Sequence, residues 1–394
     1  MKIAILTSGI LPIPAVQGGA VETRVGHLLE YNDLHKLHDI TVYSVYHPAV
    51  EGHRLLKSDV NHYEYVDINS LLARIKKRIH GLLHSGTYYH NNIDYFFQQT
   101  LSRMKRRHFD CIIAANRPGY GLQLKEVTDA KIVYLLGNDF LNNTVPHSAE
   151  LYQAASMIVA NSNFIRGRVL TCNPSDTKCV TVYNGIDLAP FSVSPKITRI
   201  SLGYSQEDFI LAYSGRLIPE KGIMELIDAM NLIKGKAHIK LLVMGSSFYE
   251  NGSNDNPFIA RLKEKADNIS DRILFTGYIK HDLIADYLRL ADVAIIPSTW
   301  EEPFGLTVVE GMAAGLPIIT TNRGGIPELV TKDNAIILHT DEHFVYNLSS
   351  AILDLFEHPG KREKMSKASL ERSKLFSKER YAREFFEALE LWIK

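Results

Sequence analysis

Short β-branched runs recur along this chain at Lys2–Thr7, Ile40–Val45, Cys111–Ala115, Lys131–Leu136, Met157–Ala160 and Val180–Tyr183. They recur again at Ile210–Ser214, Ile239–Met244, Ile273–Thr276, Val293–Pro297, Pro317–Thr320 and Ala335–Leu338, with longer helical patterns between most of them. Apolar strands that alternate with helices read as parallel sheets covered on both faces, because the helical crossovers occupy those faces. Two series of about six strands predict an α/β chain with two Rossmann-like parallel-sheet domains facing across a cleft. The join falls between Asn184-Gly-Ile-Asp187 and Gly203, where Pro190, Ser192, Ser194 and Pro195 interrupt regular structure. The expected division is 1–190 for the first domain, 200–375 for the second and 376–394 for a terminal helical segment. Ligands of open parallel sheets bind beyond the carboxyl ends of the strands, so two such sheets are expected to offer a cleft for two substrates.

Composition narrows the partners. With 394 residues, 45% hydrophobic and 22% charged, the chain reads as soluble and globular. The apolar run Ile3–Leu6 is too short for a signal peptide and no stretch approaches a spanning length, so a cytoplasmic location is expected. A formal net charge of zero gives a nucleic-acid partner no support. Cys111, Cys172 and Cys179 have no metal-ligand spacing and read as structural thiols. The segment Arg74–His84, with Arg74, Lys76, Lys77, Arg78, His80 and His84, alternates cationic groups with Leu71, Leu72, Ile75, Ile79, Leu82 and Leu83. Two readings are open: a basic amphipathic helix lying on an anionic lipid surface, or a surface helix whose apolar stripe faces the core.

Chemistry concentrates in the second domain. Glu302-Pro-Phe-Gly-Leu-Thr-Val-Val-Glu310 places two carboxylates eight positions apart across a loop-to-helix junction. The turn suits Pro303 and Gly305, and a helix from Leu306 offers backbone N–H groups to an anion, typically a phosphate. Glu302 precedes that cradle and Glu310 lies two turns inside, so the two are expected to grip different parts of one elongated ligand. Arg216 and Lys221, with Gly215 and Gly222 beside them, can bring two cations to one pyrophosphate. In the first domain Gly18-Gly19 at a helix start permits close backbone approach to phosphate. No G-x-G-x-x-G follows the first strand, which argues against NAD.

The E-x7-E segment, with Ser214-Gly-Arg216-Leu-Ile-Pro-Glu-Lys221-Gly222 upstream and Asn322-Arg-Gly-Gly-Ile-Pro-Glu328 downstream, resembles the retaining, nucleotide-sugar-dependent glycosyltransferases of family 4 (glycosyl transferases group 1), which have the GT-B fold. The resemblance implies that Arg216 and Lys221 neutralise the leaving nucleoside diphosphate, that Glu310 accepts hydrogen bonds from the ribose diol, and that Glu302 holds hydroxyls of the transferred sugar. It also implies that the backbone at Phe304, Gly305, Leu306 and Thr307 meets the donor, that the turn at Tyr278 lies beside the base, and that Gly18 and Gly19 complete a diphosphate cage. The segment after Phe376 resembles the family's terminal helix, which crosses back onto the first domain.

One departure stands out: Gly137 occupies the place where many relatives carry a histidine near the donor sugar. Asn138 or Asp139 supplies a replacement polar group, or caps a loop; Asn161 resembles the strand-end position near the acceptor. The reaction implied is transfer of a hexose or N-acetylhexosamine, from a donor whose base family frequency makes uridine, to a saccharide hydroxyl with retention. It needs no cofactor and no metal. A lipid-linked polysaccharide intermediate is the expected acceptor, with peripheral contact to an anionic inner membrane. A partner subunit of another transferase, a nucleotide-sugar epimerase and a plain sugar-nucleotide binding protein are the alternatives.

Overall fold

The computed structural model describes residues 1–83, 91–246 and 257–393; His84 of the basic segment lies outside them. Among the described residues thirteen strands form two parallel sheets. The first contains β1 (Lys2–Leu6), β2 (Asp39–Val45), β3 (Asn61–Val66), β4 (Cys111–Ala115), β5 (Lys131–Leu136), β6 (Met157–Ala160) and β7 (Cys179–Thr181), in the order β3-β2-β1-β4-β5-β6-β7. The second contains β8 (Phe209–Ser214), β9 (Ile239–Met244), β10 (Ile273–Gly277), β11 (Val293–Ile296), β12 (Ile318–Thr321) and β13 (Ala335–Leu338), in the order β10-β9-β8-β11-β12-β13. Strand order reverses between β1 and β4 and again between β8 and β11. In open parallel sheets the loops that leave such a reversal diverge to opposite faces, and ligands bind there.

The first sheet has a seventh strand that the β-branched pattern does not reveal. β3 reads Asn-His-Tyr-Glu-Tyr-Val, lies at the sheet edge beside β2, and is half-buried at Tyr63, Glu64 and Tyr65. An edge strand of this kind needs no continuous apolar run.

The chain divides into two compact units, residues 1–185 with 379–394, and residues 186–378. In the first unit, Val25, Leu28 and Leu29 of the helix Ala20–His35 pack against one face of the sheet, on Ile3, Ile5, Ile40 and Val42. The same cluster contains Tyr381, Ala382, Phe385, Phe386 and Leu389 of the helix Lys378–Ile393. The 381/385/389 and 382/386 spacings align these side chains on one helical stripe. Burial of each phenylalanine contributes about 1.5–3 kcal/mol. The opposite face of the sheet is covered by Phe96, Phe97, Tyr120 and Leu124. Cys111 and Cys179 are buried free thiols, and Cys172 is a half-buried one.

The second unit begins and ends side by side. Ile186 N–H donates to the Phe376 carbonyl at 2.9 Å, Lys378 N–H donates to the Ile186 carbonyl at 2.9 Å, and Lys378 Nζ reaches Asp187 at 2.7 Å. Its core is built from Leu226, Ile227 and Met230 of the helix Ile223–Leu232 and from Leu348, Ile352 and Leu355 of the helix Phe344–Glu357, set on β8, β9 and β11.

The helix Leu71–Leu83 does not turn the apolar stripe of the basic segment into the core. Ala73 is buried, whereas Leu71, Leu72, Ile75 and Ile79 are 75%, 70%, 50% and 52% exposed. Their apolar stripe faces outward, beside the exposed Arg74, Lys76 and Arg78. Among the described residues no helix is long and apolar enough to cross a membrane.

Candidate active site

In the second unit, the loops that leave β8 and β11 bring the motif residues together. After β8 the chain passes Arg216 and makes a short 3-10 turn, Pro219–Lys221. After β11 it runs through Ser298 and Trp300 to Glu302, then enters the helix Leu306–Ala313. The two loops are stitched together: Thr299 N–H donates to the Glu220 carbonyl at 3.0 Å. Lys221 Nζ and Ser298 Oγ both donate to Glu302 Oε1, and the Lys221 ammonium also lies over the Trp300 ring, 5.7 Å from its centroid. Glu302 is 6% exposed, so a buried carboxylate meets a cation and a hydroxyl at one oxygen. Arg216 is half-buried at the end of β8, and its carbonyl accepts a 2.9 Å bond from the buried Tyr213 hydroxyl, which fixes the backbone there.

The glycine-rich turn after β12 secures Glu302 from behind. Gly325 N–H donates to the Glu302 carbonyl at 2.7 Å, Gly324 N–H donates to Glu301 Oε2 at 2.6 Å, and Arg323 Nη1 reaches Glu301 at 3.1 Å. Gly324 has φ +57°, and a Cβ there would lie 2.1 Å from the Glu302 carbonyl oxygen and 2.5 Å from its nitrogen. No other residue fits so close to that backbone.

Glu310 stands apart from Glu302. Its buried carboxylate meets His281 Nε2 at 3.0 Å, and this hydrogen bond raises the His281 pKa above its ordinary value. Tyr278 lies at the surface, 36% exposed, just beyond the left-handed Gly277. Gly305, with φ +104°, opens the helix, whose first residues Leu306 and Thr307 are half-buried. The Phe304 side chain packs edge-to-face on Phe376 at 6.1 Å, so only its backbone remains to meet a ligand. Sequence reasoning missed His281, Ser298 and Trp300. The one available signal was position: each lies in a loop beyond the carboxyl end of a strand.

The first unit gathers a separate polar group at the ends of β4, β5 and β6. Gly18 and Gly19 both have positive φ, 77° and 101°, and lead into the helix Ala20–His35. A Cβ on Gly19 would lie 2.3 Å from Glu22 Oε2. Glu22 is buried and accepts from Ser8 Oγ at 2.7 Å; burial raises its pKa. Gly137 N–H donates to Asn116 Oδ1 at 3.0 Å, and its carbonyl accepts from Asn161 Nδ2 at 3.2 Å. Asn138 is half-buried beside it. The Asp139 carboxylate is held by Arg168 Nε at 2.7 Å and Asn142 Nδ2 at 2.8 Å. Among the described residues no group of three or more His, Cys, Asp or Glu side chains is placed to hold a metal ion.

The model of the family described as glycosyl transferases group 1 matches residues 196–372. Spore coat protein SA of Bacillus subtilis is 28% identical over 387 residues, 94% of this chain and 93% of its own. The lipopolysaccharide 1,2-N-acetylglucosaminetransferase of Salmonella typhimurium is 27% identical over 67% of this chain and 68% of its own. Among solved structures, HepE of Anabaena in complex with UDP and glucose superposes with a TM-score of 0.76 at 20% identity, over 99% of both chains.

Proposed function

Because this chain belongs to the glycosyl transferases group 1, with the two parallel α/β sheets of the GT-B fold, we propose that it transfers a hexose or N-acetylhexosamine, with retention, from a UDP-sugar to a saccharide hydroxyl. The observation that carries this reading is the meeting of Lys221, Ser298 and Glu302 beside Arg216 at the ends of β8 and β11. As the glycosidic bond breaks, the departing diphosphate oxygen gains charge. Arg216 and Lys221 neutralise it, aided by the backbone N–H groups that open the helix at Leu306. Glu302 holds hydroxyls of the transferred sugar, and Glu310 accepts from the ribose diol, as a carboxylate with two oxygens does well. The leaving phosphate itself takes the acceptor's proton on the same face, so no protein nucleophile and no metal are required. In the second unit Tyr278 borders the base; in the first unit Gly18 and Gly19 offer backbone N–H groups to phosphate, and Asn138, Asp139 and Asn161 serve the acceptor. UDP and glucose are the ligands in HepE, and the Salmonella relative is named for a lipopolysaccharide; a lipid-linked polysaccharide intermediate is therefore the proposed acceptor.

The test is donor turnover with a panel of uridine, guanosine, thymidine and adenosine diphosphate sugars and a lipid extract, followed by mass spectrometry alongside Glu302→Ala. Transfer from one donor, abolished in the variant, supports the reading. A folded protein that turns over no donor refutes it in favour of a partner subunit.

His281 gives a pH signature. Its hydrogen bond to Glu310 favours the protonated form, so the pair stabilises the ligand-free protein below about pH 6.5, the ordinary histidine value. That contribution is lost as pH rises through the raised pKa. A ribose that takes over Glu310 displaces the protonated imidazole, so UDP affinity is expected to strengthen with rising pH, by up to about tenfold per unit for one proton. Calorimetric titration should show this slope in the wild type and not in His281→Gln. A flat wild-type profile counts against ribose binding at Glu310.

The exposed stripe Leu71, Leu72, Ile75 and Ile79 with its flanking cations supports peripheral docking on an anionic inner membrane face. Each cation near such a surface is worth about 1 kcal/mol. Lys76→Glu, Lys77→Glu and Arg78→Glu together are therefore expected to weaken sedimentation with phosphatidylglycerol vesicles by about 10²-fold or more. Undiminished binding removes the membrane from the reading.

A further inference from the structure

The loops that follow β8 and β11 are held in register at three successive residues. Glu220 accepts from the Thr299 N–H. Lys221 reaches both Glu302 and Trp300. Gly222, with φ +69°, lies so close to the other loop that a Cβ there would stand 1.8 Å from the Pro297 carbonyl oxygen. The backbone that carries Trp300 is therefore fixed beside the turn that carries Lys221. The Trp300 side chain is 39% exposed, so it contributes less to a core than a buried tryptophan does.

Lys221 needs more than one contact to stay in place. Its ammonium ends a flexible four-carbon stem, and a single hydrogen bond to Glu302 Oε1, an oxygen already shared with Ser298 Oγ, leaves that stem free to swing. A second carboxylate would hold the ammonium more firmly, but it would also cancel the charge that an incoming anion needs. An indole face attracts a cation through its quadrupole while carrying no net charge, and tryptophan does this best among the aromatic residues. The Lys221 ammonium lies 5.7 Å from the Trp300 ring centroid, inside the range of about 6 Å over which that attraction acts. The Lys221 side chain is only 23% exposed, so the contact is partly desolvated and stronger than in open water.

We infer that Trp300 is a positioning residue for Lys221: its ring holds the ammonium, with its charge intact, at the place from which it meets the donor diphosphate. The diphosphate as the partner of Lys221 rests on the transferase reading. A cation ordered in advance spares each binding event the cost of ordering it. Trp300 therefore acts on diphosphate affinity through Lys221 and not by touching the nucleotide.

The experiment measures UDP affinity of the full chain by calorimetry in a double-mutant cycle of Lys221→Met and Trp300→Leu, with the melting temperature as control. With Lys221 present, Trp300→Leu is expected to weaken UDP binding by roughly 2–30-fold, the span of ammonium–aromatic contacts between exposed and desolvated sites. In the Lys221→Met background the same change should have no effect, because the cation it positions is gone; the Glu302 charge left behind is common to both arms and cancels. Trp300→Tyr and Trp300→Phe should each keep part of the affinity that Trp300→Leu loses. A Trp300→Leu loss of equal size in both backgrounds overturns the inference. Should Lys221→Met fail to fold, the aromatic series decides, and equal UDP affinity in all three Trp300 variants overturns it. A folded wild-type chain that binds no UDP overturns it together with the transferase reading, whereas UDP binding indifferent to position 300 overturns the inference alone.

Discussion

Arg216→Ala is expected to lower the rate of sugar transfer by about 10²–10³-fold, the usual cost of removing one preorganised charge from a developing oxyanion. Most of the loss should fall on kcat. The donor's diphosphate is already charged in the ground state and is shared among Arg216, Lys221 and a helix N-terminus, whereas the charge added at the departing oxygen belongs to the transition state alone. Lys221 donates to the buried Glu302 carboxylate, so its removal would also strand that charge and mix a stability effect with a catalytic one. Initial rates over a range of donor concentrations separate the parameters, with the melting temperature as control. An Arg216→Ala enzyme with unchanged kcat refutes the leaving-group role.

Gly324→Ala carries the largest expected stability effect. Its left-handed conformation costs a residue with a Cβ about 1–2 kcal/mol, and the added methyl must also displace the Glu302 backbone from 2.1 Å. A total of about 3 kcal/mol or more follows, which thermal unfolding should report as a fall of roughly 6–12 °C. Activity should fall further than stability, because the backbone that must move holds the proposed sugar-binding carboxylate. Gly235→Ala is the control: its φ lies outside the left-handed region and the added methyl meets nothing within 4 Å. That change should leave melting unaltered or raise it slightly. Equal melting of the two variants would show that the turn does not support Glu302.

What could be read in the sequence was what is local. Buried parallel strands are continuous apolar runs, so β1, β2 and β4 to β13 announce themselves within two residues, while the edge strand β3, with its histidine, tyrosines and glutamate, does not. The Glu302 and Glu310 positions stand on one loop and the helix after it, and their separation follows from helical spacing. Their partners were not legible. Lys221 and Glu302 are 81 residues apart, and His281 and Glu310 are 29 apart; nothing in local spacing pairs them. The amphipathic pattern at Leu71–Ile79 was plain, but periodicity alone does not say whether a stripe turns inward or outward.

The chain enters the second unit at Ile186 and leaves it beside the same point at Lys378, while the first unit's core is completed by Tyr381, Phe385, Phe386 and Leu389. The second unit is therefore an insertion in the first, contiguous and closed on itself, whereas its host is split. During synthesis residues 186–378 emerge as a finished folding unit while the earlier half still lacks one helix of its core. The part of the chain made first is the part that matures last, and until residues 379–393 leave the ribosome it exposes an apolar face that chaperones or neighbouring chains can bind.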